Sequence, residues 1–437
     1  MWYHSTQQPD QQVPLKEAIL RSLPADNGLY MPQEIRPLGD DFWHRWRDMS
    51  FAEIGYHIAH SFFGDDVPEE ELRRIVDGTL NFDAPLIQLA PGDLVLELFH
   101  GPTLAFKDFG ARFMARLMAW LTREDDEELT VLVATSGDTG GAVASAFYQV
   151  PGTRVIILFP KGKVSPLQEK QLTTLGHNIT AIEIDGTFDD CQRLVKSAFH
   201  DAELSQKFNL TSANSINLSR LVPQSFYYFH SSRMLPDGIE PAFVVPSGNF
   251  GNLTAGLLAQ KLGLRVKKWI AATNRNDVVP AYLRSGQYQP RPSIATLSNA
   301  MDVGAPSNFV RMQYLFGDDC QRMAAQIEGY AFDDDQTRAA IREVKSLYQY
   351  DIDPHGAVGW LAARKWRANN PGTPTIVLET AHPAKFLEVM EAELGTGSIE
   401  IPERLACLAD LPSQAHKLGK DEASFHAWLG ALTSSSA

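Results

Sequence analysis

At 437 residues and 44% apolar content the chain can bury more than one core, so an ordinary globular protein of two or three domains is expected. Its formal charge of −14 leaves no global positive field to gather phosphate backbones, which argues against nucleic acid as a partner and leaves any anionic ligand to local basic groups. Cys191, Cys320 and Cys407 lack the spacing of a metal site or disulfide framework and fit a reducing cytoplasm, Met1-Trp2-Tyr3-His4-Ser5 does not read as a secretory signal, and no apolar run is long enough to span a bilayer.

Residues 1 to about 90 mix turn formers with short helical patterns, and Pro32, Pro37, Pro68 and Pro85 are expected to deny this stretch long regular elements. From Leu94 onward, short β-rich runs alternate with amphipathic stretches, the pattern of helices packed on a largely parallel sheet, so the fold class is α/β. Strands are predicted at Leu94–Phe99, Leu129–Ala134, Val155–Phe159, Ile179–Ile184, Phe243–Val245, Trp269–Thr273 and Thr375–Leu378. Nearly all are continuous apolar runs, as expected of strands buried on both faces. Helices are predicted at Phe109–Leu121, Leu167–Leu175, Phe188–Phe199, Leu218–His230 and Leu253–Leu262. In the first, Phe109, Phe113, Leu117, Trp120 and Leu121 recur at helical spacing and read as core packing; Gly176 is expected to close the second. The acidic run 124–128 reads as a solvated helix exit, and Ser434-Ser435-Ser436 as a frayed tail.

Three loops after predicted strands are glycine-rich or unusually polar: Thr135-Ser136-Gly137-Asp138-Thr139-Gly140-Gly141, Pro246-Ser247-Gly248-Asn249-Phe250-Gly251-Asn252 and Glu379-Thr380-Ala381-His382-Pro383. Ligands in open α/β sheets bind beyond the carboxyl ends of strands, so one shared pocket explains all three. Gly248 and Gly251 permit dihedrals that turn successive amides toward one anion, such as a phosphate, just before a helix begins; a tight turn with no ligand is the other reading of that loop.

Lys107 lies between a predicted strand and the start of an apolar-faced helix, in Phe106-Lys107-Asp108-Phe109-Gly110. Both the helix dipole and an apolar setting disfavour its ammonium, and a neutral amine is what Schiff-base chemistry requires. Taken alone, the lysine could equally be solvated and paired with Asp108.

The block His100-Gly101-Pro102-Thr103-Leu104-Ala105-Phe106-Lys107-Asp108, the 247–252 loop and Leu378-Glu379-Thr380-Ala381-His382-Pro383-Ala384-Lys385 together resemble the threonine synthase family of the bacterial and fungal type. Tyr3-His4-Ser5-Thr6, Ser165-Pro166-Leu167-Gln168-Glu169-Lys170 and Asn214-Ser215-Ile216-Asn217-Leu218-Ser219-Arg220 match the same family, so the resemblance runs to about Gly395 and leaves the last forty or so residues outside it. It implies a fold similar to the tryptophan synthase β family: two open twisted α/β lobes with pyridoxal 5'-phosphate between them. The expected division is an N-terminal segment 1–92, a cofactor-binding catalytic region 93–400 with its smaller lobe at about 115–215, and a C-terminal helical tail 401–437.

The resemblance also implies roles. Lys107 is similar to the lysine that carries the cofactor and moves protons at the substrate carbons. Gly248, Asn249, Phe250, Gly251 and Asn252 match the cradle for the cofactor phosphate, and Thr380 matches the hydroxyl that meets the pyridine nitrogen. Ser136, Gly137, Asp138 and Thr139 resemble the loop that receives the substrate carboxylate; the contact made by Asp138 itself stays open, because many relatives carry asparagine there. Asn214, Ser215 and Arg220 resemble a substrate-phosphate site, with Arg220 offering a planar fork. His355 and His382 read as packed, hydrogen-bonded residues. The implied reaction is conversion of O-phospho-L-homoserine and water to L-threonine and phosphate, by a monomer or homodimer that needs no metal. A phospholyase that releases a keto acid and ammonia shares these motifs, and a cofactor-free binding paralogue is the more distant alternative.

Overall fold

Apolar runs without polar alternation need cover on both faces, and in the computed structural model, which describes residues 1–432, they form the middles of two helix-flanked sheets. The larger sheet runs Ile327–Ala331, Lys268–Thr273, Ala242–Pro246, Thr375–Glu379, Asp93–Glu97, Leu86–Ala90, with every pair parallel except the last. The smaller sheet runs His416–Leu418, Ile179–Ile184, Thr153–Pro160, Leu129–Ala134, Leu210–Ser212 and is parallel throughout. A third, antiparallel sheet pairs Tyr3–Ser5 with Gln12–Val13 and Tyr30–Pro32. All seven predicted strands are present. The strands missed in the two large sheets, Leu86–Ala90, Leu210–Ser212, Ile327–Ala331 and His416–Leu418, are the four edges, which are half-exposed or only three residues long and so give no continuous apolar signal.

Three helix expectations need correction. The N-terminal region does hold long elements, Phe51–Phe63 with a Ser50/Glu53 capping box and Glu69–Thr79, because its prolines stand between helices rather than inside them; Pro68 is the N-cap of the second. The predicted helix Leu218–His230 is broken into Leu218–Leu221, a 3₁₀ turn Val222–Ser225 and Phe226–Arg233, with Pro223 at the break. Helix Pro166–Thr173 stops before Gly176, which takes a left-handed φ of 64° in the loop beyond. The acidic run is exposed through Glu127, Glu128 pairs with Arg154, and Ser434–Ser436 lie outside the described residues.

The phenylalanine stripe fixes the helix that bears Lys107. Phe109 lies 5.9 Å from Phe51, and Phe113 lies 5.4 Å from Phe63 and 6.0 Å from Phe226, ring centre to ring centre. Burying each such ring contributes about 1.5–3 kcal/mol, so helix Lys107–Leu121 is clamped between the N-terminal helices and the 218–233 segment. Among the described residues no helix is long and apolar enough to cross a membrane.

Candidate active site

Strand Asp93–Glu97 leads into a turn that delivers Lys107 as the first residue of its helix. The end of the neighbouring strand braces this turn: Phe106 N–H donates to Thr380 O at 2.9 Å, and Ala105 bridges to Ala381. Asp108 is buried and receives Thr103 N–H at 2.9 Å and Thr103 Oγ1 at 2.8 Å, so it serves the turn and does not pair with Lys107. Among the described residues, Lys107 Nζ has no hydrogen-bond or ion-pair partner; it sits 4.4 Å from the centre of the Phe106 ring. Burial, and then the charge of Arg220, lower its amine to about 8 against an opposing pull from Asp138.

Lys107 lines a cavity with Ser136, Asp138, Thr139, Asn214, Ser215 and Asn249, walled also by Phe188 and by Asn299, Ala300, Asp302 and Val303. Gly137, Gly248, Phe250, Gly251, Asn252, Thr380 and Arg220 are not among the residues that line it. The 248–252 loop is tightly made: Phe250 holds a left-handed φ of 60° as N-cap of helix Gly251–Lys261, and Asn252 Oδ1 accepts Ser247 Oγ at 2.6 Å while its Nδ2 donates to Pro246 O at 2.8 Å. Gly248 permits close approach, since a Cβ there would meet Ala300 O at 2.7 Å. Among the described residues, none of the five backbone N–H groups from Gly248 to Asn252 donates a hydrogen bond. Buried amides are rarely left so, and a row of them before a helix suits an anion. In the 136–139 loop the amides of Ser136, Asp138 and Thr139 are likewise without acceptors among the described residues, while Gly137 N–H donates to Thr135 Oγ1 at 2.9 Å.

Positive charge stands behind the 213–216 segment. Arg220 is 1% exposed, donates through Nη1 to Ala213 O, and leaves its buried Nε without a partner. Arg311, 0% exposed, donates to Tyr30 O, Ser215 O, Ile216 O and Asn308 Oδ1. Among the described residues neither meets a carboxylate within ion-pair distance; burial lowers Arg220 to about 10 against a more distant pull from Asp108, and lowers Arg311 to about 9. Two buried cations without a direct ion pair favour an anion nearby. Asn214 Nδ2 is spent on Ala134 O at 2.8 Å, whereas Ser215 Oγ accepts from Asn308 Nδ2 at 3.1 Å.

Asp138 gains a definite contact. Its Oδ1 accepts Gln168 Nε2 at 2.8 Å and pairs with buried Lys385 Nζ at 2.6 Å. Burial alone would raise this carboxyl, but the Lys385 ammonium and the Gln168 bond outweigh it and hold Asp138 below the usual carboxylate range. His355 bonds through Nδ1 to Asp353 Oδ1 at 2.6 Å, and Ala300 N–H donates to its Nε2 at 3.2 Å, so it pins the cavity wall. His382 caps Ala384 N–H through Nδ1 at 3.1 Å, and burial lowers it to about 4. Of the residues sequence reasoning missed, Lys385 and Gln168 stood inside the quoted blocks, whereas Arg311 had no local signal, lying on the unforeseen helix Phe309–Phe316.

Three family models match the chain: pyridoxal-phosphate dependent enzyme at residues 84–379, threonine synthase N terminus at 2–80, and threonine synthase C-terminal at 356–428. The last corrects the expectation that the family likeness stops near Gly395; strand His416–Leu418 completes an edge of the smaller sheet, where short exposed sequence carries little motif. Threonine synthase of Escherichia coli strain K12 is 47% identical over 94% of this chain and 95% of its own length, and that of Serratia marcescens is 46% identical over 94% of each. Among solved structures, Escherichia coli threonine synthase superposes with a TM-score of 0.93 at 44% identity, covering 98% of this chain and 99% of that one. Threonine synthase of Brucella melitensis with bound pyridoxal phosphate gives 0.90 at 35% identity, over 98% of each chain. The chain belongs to the threonine synthase family and is a pyridoxal-phosphate-dependent enzyme.

Proposed function

We propose that Lys107 carries the cofactor and that the cavity converts O-phospho-L-homoserine and water to L-threonine and phosphate in the cytoplasm. One observation carries the reading: among the described residues, Lys107 offers an amine without a partner and lines the same cavity as Asn249, which belongs to a loop of five unclaimed amides. The residues fit the cofactor, because the amine suits an aldehyde and the 248–252 amides suit a phosphate. When bound, the cofactor supplies an electron-withdrawing ring conjugated to the substrate nitrogen, which acidifies the protons on Cα and then Cβ.

The chain's own residues do the rest. Lys107, lowered to about 8, takes the Cα proton as a neutral amine and returns it as an ammonium. The free amides of Ser136, Asp138 and Thr139, at the N-terminus of helix Asp138–Phe147, orient the substrate carboxylate. Ser215 and the second Nδ2 proton of Asn214 meet the phosphoryl group at the wall, while Arg220 and Arg311 stabilise its charge as it leaves. Thr380, next to the Lys107 turn, offers the pyridine nitrogen a hydroxyl. A hydroxyl cannot balance a pyridinium as a carboxylate would, so Lys107 and the anion-binding groups carry more of the developing charge.

The division at 1–92, 93–400 and 401–437 and the monomer or homodimer belong to the same proposal; limited proteolysis and light scattering test them. Product analysis tests the reaction. Equal amounts of threonine and phosphate from O-phospho-L-homoserine support it, a keto acid with ammonia transfers the reading to a phospholyase, and no turnover overturns both.

A further inference from the structure

Lys385 and Asp138 are 0% and 5% exposed, so their ion pair is made entirely out of water. Desolvating two such charges costs several kcal/mol per ion, which makes the pair a poor stabiliser and points to a role in fixing where charge sits. The same ammonium donates to Thr103 O at 2.9 Å, in the turn that bears Lys107, and the Lys385 carbonyl accepts Ser165 Oγ at 2.7 Å. One side chain thus joins the segment after strand Thr375–Glu379, the Lys107 turn and the start of helix Asp138–Phe147. Both bonds to Asp138 fall on Oδ1. Its Oδ2 has no partner among the described residues, and the residue lines the cavity shared with Lys107.

We propose that Lys385 is a positioning residue: it fixes Asp138 as an anion with one oxygen free for the cavity, and that charge holds the cofactor-linked nitrogen of Lys107 in its protonated form. An anion beside a titrating nitrogen favours the cation. The other charged groups facing the pair are Arg220, which opposes the effect, Asp108 behind the turn, and His355 and Asp302 across the cavity. This inference rests on the assignment of Lys107 above.

The test is a pH titration of the visible absorbance band of the holoenzyme. In Asp138→Asn/Lys385→Met both charges are gone, so no unpaired ion is left buried, and the midpoint at which the band is lost moves down by about 1–3 pH units. Asp138→Asn alone moves it the same way, while Lys385→Arg, which keeps the cation, leaves it near the wild-type value. Lys385→Met alone, which leaves Asp138 buried without its cation and so driven to take up a proton, also moves it down; if that variant fails to fold, the double variant still decides. A pair that only glued the fold together would give the double variant the wild-type midpoint and turnover, and that result overturns the proposal. Loss of the Lys107 assignment is separately visible, because Lys107→Ala would then keep its band.

Discussion

Alanine at Gly248 sets a methyl group 2.7 Å from Ala300 O, 2.9 Å from Met301 Cα and 3.1 Å from Val303 Cγ2. Comfortable carbon contacts begin near ~3.5 Å, so the wall segment must retreat by roughly 0.6–0.8 Å. It has little freedom to do so. Ala300 N–H is tied to His355 Nε2 at 3.2 Å, and Asp302 holds Thr296 through bonds of 2.7 and 3.0 Å. Overpacking against backbone costs about 1–3 kcal/mol, and since this segment borders the cavity beside the cradle, the cost falls on the bound state as a Kd for pyridoxal phosphate raised about 5- to 150-fold. Fluorescence titration of cofactor-free Gly248→Ala measures it, with circular dichroism to confirm folding. A Kd within twofold of wild type would refute the reasoning that the cradle and the 299–303 wall are packed as one unit.

Lys107→Ala should lose the visible absorbance band and lower turnover by at least ~10²-fold, the scale of a positioned acid–base group; a retained band or rate contradicts the assignment. With the Lys107 amine lowered to about 8, its reactive neutral form dominates above that pH and declines below it, so cofactor uptake by the cofactor-free protein should slow about fivefold from pH 8 to pH 7 and about ninefold more from pH 7 to pH 6. A flat uptake rate over that window contradicts the lowered amine. Arg220→Met removes a buried cation that, among the described residues, bonds only Ala213 O, so stability should change by less than about 1 kcal/mol while KM for the phosphorylated substrate rises at least tenfold; unchanged kinetics remove Arg220 from the site. Arg311→Met instead strips the donor from Tyr30 O, Ser215 O and Ile216 O, and should lower stability by roughly 3 kcal/mol in denaturant unfolding; a shift below about 1 kcal/mol would show those carbonyls were satisfied otherwise.

The central strands were legible because a strand buried on both faces must be a continuous apolar run, and Leu129–Ala134 and Ile179–Ile184 are read from sequence to the residue. Edge strands such as Ile327–Ala331 were not, since an exposed face dilutes that signal. The cavity's loops announced themselves through glycine spacing and position after strands, and Lys107 through its place before an apolar helix. Arg311 and Lys385 were silent for a different reason. Their significance is that, among the described residues, no carboxylate pairs with the first and that the second meets Asp138 from the segment after strand Thr375–Glu379, and partnership across hundreds of residues leaves no local pattern. Pro223 was visible but outweighed by helical spacing on either side of it.

The claim everything depends on is that the amine of Lys107, and no other, bonds the cofactor. Reduction of the holoenzyme with borohydride, digestion and mass spectrometry test it directly, because a reduced linkage survives on its peptide. The account predicts the pyridoxyl group on the peptide carrying Lys107; finding it on Lys385 or another lysine, with Lys107 unmodified, would contradict it.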